Sequence, residues 1–371
     1  MKITSLELHP VSVARSYATR IAREGGGAKD WVAGSRFLFL EAVTDSGRTG
    51  WGEISDVPDA EYPDLNELRE QLSTLLIGRD PFDLQQLHTD FREVFPFSAD
   101  REFPRLVSAG ADMLCYDLQS QEAGVPIYKL LGGKHRSRVH ISWVAFIRED
   151  LDLLREEIRE KTENGFTAFK LKVGANIDLD DERLAVLRET AGPNANIKID
   201  PNGGWTLDEA RRNIPRLAKH GLSGVETPVA FRDPAELAVL RGEVDVPLIE
   251  HVMTAEDAIR YIRHESLDYF NIATTGCGGI RPALNIAEMA QTAGVGILLG
   301  STVEMGPGTL AQLHLAAAIR DLTLPSDLVG PAMFTDDVLI TPLQYESGYL
   351  QVPDKPGLGA EIDRQKIIGC S

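Results

Sequence analysis

The chain has 371 residues, which at roughly 150 residues per domain suits two or three domains, or one large barrel with an appendage. Hydrophobic residues make up 43% and charged residues 25% of it, an ordinary globular balance that excludes collagen-like, disordered and disulfide-scaffold chains. Lys and Arg number 38 against 56 Asp and Glu, a formal charge of −18; nucleic acid or an anionic membrane would be met with net repulsion, and neither is an expected partner.

Cys115, Cys277 and Cys370 fall in no CxxC or CxxH pair, so neither a structural zinc nor a disulfide framework is indicated. The start, from Met1 to Leu8, alternates apolar and polar residues like a strand and lacks the pattern of a secretory signal. No apolar run reaches the roughly 18 residues of a membrane span. A cytoplasmic location is expected.

In chain order, Ile3 to Val13 and Arg36 to Thr44 read as antiparallel strands, with Asp45-Ser46-Gly47 as a turn before Gly50-Trp51-Gly52-Glu53. Between them lies a Gly- and charge-rich stretch, Ser16 to Trp31, whose length marks a functional or disordered loop. From Asp64 to about Leu131 the apolar spacing becomes helical. After Leu130-Leu131-Gly132-Gly133-Lys134 a new rhythm begins, with short apolar strands alternating with amphipathic helices: Val139 to Ala145, Ala168 to Val173, Ile197 to Asp200, Val225, Pro247 to Glu250, Tyr269 to Ala273 and Val295 to Leu299. That alternation predicts parallel βαβ units.

Ionisable residues close these strands. Lys170 and Lys172, Asp200, Glu226 and Glu250 each end one, with 26 residues from Asp200 to Glu226 and 24 from Glu226 to Glu250. Charges on four successive strand ends favour a (β/α)₈ barrel, whose site is built there, over a doubly wound sheet with a single switch point. Three converging carboxylates require a cation, and an all-oxygen set selects a hard ion, Mg²⁺ with Mn²⁺ as the alternative. Lys170 and Lys172, two apart on a strand, face the same side. A lysine beside another cation and a metal can lose its proton readily enough to act as a general base.

These residues, together with Cys277-Gly278-Gly279-Ile280, Gly300-Ser301-Thr302-Val303-Glu304 and Pro356-Gly357-Leu358-Gly359, resemble the enolase superfamily in its mandelate racemase and muconate lactonizing enzyme branch. The resemblance implies a modified TIM barrel with an α+β capping domain: residues 1–132 as the cap, 133–332 as the barrel and 333–371 returning to the cap. It further implies that Mg²⁺ binds a substrate carboxylate and stabilises the enediolate formed when a base removes the α-proton. By position, Asp200, Glu226 and Glu250 resemble the metal ligands, although Ile249 stands where some members place an acid. Lys172 resembles the acid/base, with Lys170 assisting it. Asn202 and Glu304 match positions near metal and substrate. Cap-loop residues Arg20 and Trp31 would contact the distal end of the substrate.

Racemising members usually carry a second base on the sixth barrel strand, and here that position is Ala273. The expected reaction is therefore a one-base syn-dehydration of a small hydroxy carboxylate. Cycloisomerisation or epimerisation, with His251 as an added proton relay, is the alternative. A non-catalytic acid-binding homologue is the reading from another class. The resemblance also suggests a homo-oligomer.

Overall fold

The computed structural model describes residues 1–98 and 100–369, so Cys370 lies outside the described residues. The N-terminal alternation builds a long antiparallel sheet of β1 (Ile3–Thr19), β2 (Val32–Thr44) and β3 (Thr49–Ile54), in the order β1-β2-β3. β1 and β2 both run further than their alternation suggests, so the expected loop from Ser16 shrinks to 20–31. Helices α1 (Leu65–Leu76), α2 (Leu84–Val94), α3 (Phe103–Ala123) and the short α4 (Ile127–Leu130) follow. The glycines of Gly50-Trp51-Gly52-Glu53 let α3 lie directly on β3: a Cβ on Gly52 would stand 2.2 Å from the Gly110 carbonyl oxygen.

The stretch from 139 to 145 forms two strands rather than one. β4 (Arg138–His140) pairs antiparallel with β12 (Tyr349–Gln351), and only β5 (Trp143–Ala145) joins the barrel. The main sheet continues as β6 (Ala168–Lys172), β7 (Asn196–Asp200), β8 (Leu222–Glu226), β9 (Leu248–His251), β10 (Tyr269–Ile272) and β11 (Gly296–Leu299), ordered consecutively and paired in parallel. Its crossovers are α5 (Leu151–Glu163), α6 (Ile177–Ala191), α7 (Leu207–Ala218), α8 (Pro234–Glu243), α9 (Ala255–His264) and α10 (Thr274–Cys277) with α11 (Ile280–Ala293). After α12 (Gly306–Ala318) the segment 323–327 closes the barrel. Asp327 N–H donates to Leu299 O on one side, and Ser142 N–H donates to Ser326 O on the other.

Strand phase sorts the side chains. Leu171, Ile199, Val225, Leu248 and Phe270 point outward into one continuous core with helix residues such as Leu154, Leu184, Ile214 and Leu237. Ile249, Leu298 and Leu324 form a separate buried cluster inside the barrel. Among the described residues, no helix is long and apolar enough to cross a membrane.

The chain then returns to the cap through α13 (Gly330–Met333) and ends in α14 (Arg364–Gly369). Phe334 packs edge-on against Phe37, and the Arg364 guanidinium donates to Glu41 and Glu7 at 2.8 Å each. His314 of α12, fully buried, has Nε2 3.1 Å from the Leu358 carbonyl oxygen, an acceptor that only an N–H can satisfy. Burial pushes this imidazole down to about 4, while the unfolded chain titrates near 6.5. Above pH 6.5 both states are neutral and nothing is lost. As pH falls from 6.5 towards 4 only the unfolded chain takes the proton, so stability drops by about 2 kcal/mol at pH 5. The urea midpoint of the wild type should therefore fall more between pH 7 and pH 5 than that of His314→Gln.

Candidate active site

The C-terminal ends of β6, β7 and β8 converge on an enclosed charged cluster. Lys170, Lys172, Lys198, Asp200 and Glu226 share the interior face, as the register Lys170↔Lys198 and Lys172↔Asp200 requires. Lys172 Nζ lies 2.5 Å from Asp200 Oδ2. Lys170 Nζ reaches Asp327 at 2.8 Å, Glu226 at 3.1 Å and Asp200 at 3.6 Å. Burial opposes the Lys170 charge, but the three carboxylates around it outweigh that cost and hold it above the ordinary lysine range. Lys170 is thus a fixed cation on the two interior acids. For Glu226 the cost of burial is overcome by Lys170 and His251, which keep it ionised well below the usual carboxylate range.

Sequence reasoning missed two members of this cluster. Lys198 Nζ donates to Asp327 Oδ1 and to the Pro325 carbonyl, both at 2.7 Å. Lys198 was legible, being two residues before Asp200 on one strand. Asp327 was not, because the segment that closes the barrel has no strand-like pattern.

The third strand-end acid behaves differently. The pairings Glu226↔Ile249 and Asn271↔His251 put Ile249 and His251 on the interior face and leave Glu250 in phase with outward-facing Leu248. Glu250 Oε1 accepts from the Thr227 hydroxyl and from His251 N–H, each at 2.8 Å, and the Arg232 guanidinium stands 3.7 Å away. Burial pushes Glu250 upward against the pull of Arg232. His251 Nε2 is 3.0 Å from Glu226 Oε1. The structure thus brings Asp200, Glu226 and His251 to one face and sets Glu250 to the side of it.

Asn202, with a left-handed backbone (φ 50°), folds back on Asp200 through N–H at 2.8 Å and Nδ2 at 3.3 Å. Among the buried oxygens of the described residues without a hydrogen-bond partner are three at these strand ends, Glu226 Oε2, Glu250 Oε2 and Asn202 Oδ1. Buried oxygens left unpaired are costly. An oxygen-rich pair, Asp200 and Glu226, with free lone pairs at the mouth of a barrel fits a divalent cation.

Glu304, after β11, is fully buried and accepts from Thr302 N–H at 3.0 Å and the Thr275 hydroxyl at 3.3 Å, with the Ser301 hydroxyl on its other oxygen. Beside it, Glu53 of β3 accepts from Met305 N–H at 2.9 Å, Gly308 N–H at 2.7 Å and the Ser55 hydroxyl at 2.7 Å, so the cap holds the first turn of α12. Burial pushes Glu53 up to about 8 in spite of these donors.

Over the mouth lies the cap loop, where Ala22 bridges Ala28 and Gly25 N–H reaches Gly203 O. Arg20 bonds Glu149 at 2.6 Å and stacks on Trp31, which is half exposed. The loop is therefore seated on the strand-end turns, with Arg20 already paired and the Trp31 ring open to contact.

Residues 153–366 match the family described as enolase C-terminal domain-like, and residues 28–132 match the mandelate racemase / muconate lactonizing enzyme N-terminal domain. The chain belongs to the mandelate racemase and muconate lactonizing enzyme branch of the enolase superfamily. An N-succinyl-L-Arg/Lys racemase of Bacillus cereus is 28% identical over 99% of this chain and 97% of its own. A hydrophobic dipeptide epimerase of Enterococcus faecalis is 30% identical over 77% of this chain and 80% of its own. The crystal structure of 2-chloromuconate cycloisomerase from Rhodococcus opacus superposes with a TM-score of 0.90 at 25% identity, covering 100% of both chains. These branch relatives are named for isomerisation, not for the loss of water expected from the sequence.

Proposed function

We propose that the protein is a metal-assisted isomerase of the cycloisomerase type, in which Lys172 moves the proton on the carbon α to a substrate carboxylate. The observation that carries this reading is Lys172 at the mouth of the barrel, 2.5 Å from Asp200, with Ala273 on the strand across from it. Ala273 continues the extended backbone of β10 and so shares the inward phase of Asn271, but it can neither take nor give a proton.

A divalent ion, Mg²⁺ in the first instance, would be held by Asp200 and Glu226 with a third donor from β9. When bound, it supplies positive charge to the substrate carboxylate as the α-carbon gains or loses its proton. Lys170 keeps Glu226 ionised and, with Asn202, holds Asp200 in place. Lys172 takes the proton from one face and returns it to the same face. The cap loop excludes water, and Trp31 offers an apolar surface to the far end of the substrate.

One-face chemistry suits intramolecular addition and elimination. Epimerisation, the activity for which several relatives are named, requires a second group, and His251 is the titratable side chain placed to serve. A panel of muconate-like diacids, lactones and N-acylated amino acids incubated in deuterated water separates these readings by proton NMR. Deuterium at the α-carbon with retained configuration and an isomeric product is the expected result. Inversion would shift the assignment to epimerisation, and loss of water to dehydration.

A further inference from the structure

We infer that His251, not Glu250, supplies the third donor of the metal site, so that the ion is held by two carboxylates and one imidazole. The inference rests on the metal-assisted reading above. It begins with register. Glu226 lies level with Ile249, an aliphatic side chain that cannot ligate. The next residue to face inward on β9 is His251, two positions on, and its Nε2 already stands 3.0 Å from Glu226 Oε1.

Glu250 is otherwise engaged. Its Oε1 carries two hydrogen bonds, from Thr227 and from His251 N–H, and Arg232 supplies a cation 3.7 Å away. Its side chain runs toward the helix layer, where Tyr261 of α9 feels its charge and packs edge-on against outward-facing Phe270. Glu250 Oε2 is unpartnered, but so is Glu226 Oε2, which belongs to the carboxylate that His251 touches. Glu226 and Asp200 are fully buried, whereas His251 remains 26% exposed by side chain, open at the mouth where an ion enters.

An imidazole in the donor set alters the preferred metal. Oxygen-only sites suit Mg²⁺, while a nitrogen donor favours a first-row divalent ion, so Mn²⁺ is expected to bind more tightly than Mg²⁺. Assigning His251 to the metal also removes it as a free second base, in keeping with one-face chemistry.

The test uses the full-length protein loaded with Mn²⁺ and pulsed EPR, which detects a directly bound imidazole nitrogen without turnover. The wild type is expected to show ¹⁴N modulation. His251→Gln should lose it and bind Mn²⁺ more weakly by at least about 10-fold, since even an outer-shell partner of a ligand is worth on the order of 10–100-fold. Glu250→Gln, which keeps an acceptor for Thr227, should retain the modulation and an affinity of the same order. Among the described residues, the group of three whose ligand atoms all lie within 4.8 Å of one another is Glu7, His9 and Glu41, on the cap, so His9→Gln is run in parallel and should behave as wild type. A nitrogen-free wild-type spectrum, modulation that survives His251→Gln, or an affinity lost only in Glu250→Gln would each overturn the assignment while leaving the metal-assisted function standing. No Mn²⁺ binding at all would overturn both.

Discussion

Lys172→Ala should slow α-proton exchange in deuterated water by about 10²–10⁴-fold, the range general acid–base groups contribute, while Mn²⁺ still binds. The expectation follows from geometry: Lys172 Nζ sits at the open end of the strand, 2.5 Å from Asp200 Oδ2, whereas Lys170 lies one layer deeper among three carboxylates. Lys172→Arg is the companion variant. It keeps a positive charge beside Asp200 but cannot act as a base near neutral pH. If exchange survives in Lys172→Arg, the lysine is a counter-ion and the acid/base lies elsewhere. If both variants lose metal as well as exchange, Lys172 serves to hold Asp200.

The second large effect is on stability. Asp327→Asn should lower unfolding free energy by about 3–5 kcal/mol, because it leaves Lys170 and Lys198 facing a neutral amide in the closed interior of the barrel. Lys198 is fully buried, and its other partner is a carbonyl. Lys170 keeps Glu226 and Asp200, so the double variant Asp327→Asn with Lys198→Met removes the stranded charge and should recover part of the loss. A single variant with the wild-type urea midpoint would show that the cluster is not held together by this carboxylate.

The charged strand ends were readable because two periodicities coincide there. Alternation within Lys170-Leu171-Lys172 and Ile197-Lys198-Ile199-Asp200 fixes which side chains face inward, and the near-constant spacing between acids fixes which strands are neighbours. On β9 spacing and phase part company, because phase is binary: one residue of offset turns a strand's inward set outward. Glu250 has the spacing of a ligand but the phase of Leu248, as the pairings Glu226↔Ile249 and Asn271↔His251 reveal. Asp327 was hidden for another reason. It sits in an irregular segment whose place in the barrel is set by scattered hydrogen bonds to Ile297 and Leu299 on one side and to His140 and Ser142 on the other, rather than by a repeating strand pattern. Within 139–145 the alternation was real, but a bend after His140 gives its first half to β12, a partner more than 200 residues away that no local pattern announces.

The carboxylate of Glu53, gripping the amides of Met305 and Gly308, also limits how the molecule can move. Ile280 N–H on Asp112 and Ser108 on Gly278 O fasten α3 to the barrel at a second place, and Leu358 N–H on Asp117 ties α3 to the chain that returns to the cap. These contacts run along α3 from Ser108 to Asp117 and resist rocking of the cap as a rigid lid. The cap loop is less constrained at the Gly25-Gly26-Gly27 turn, where all three residues adopt positive φ and added side chains would meet open space. Arg20 and Trp31, proposed to meet the far end of the substrate, flank this turn, so exchanging them should leave the frame that aligns Lys172 with Asp200 in place.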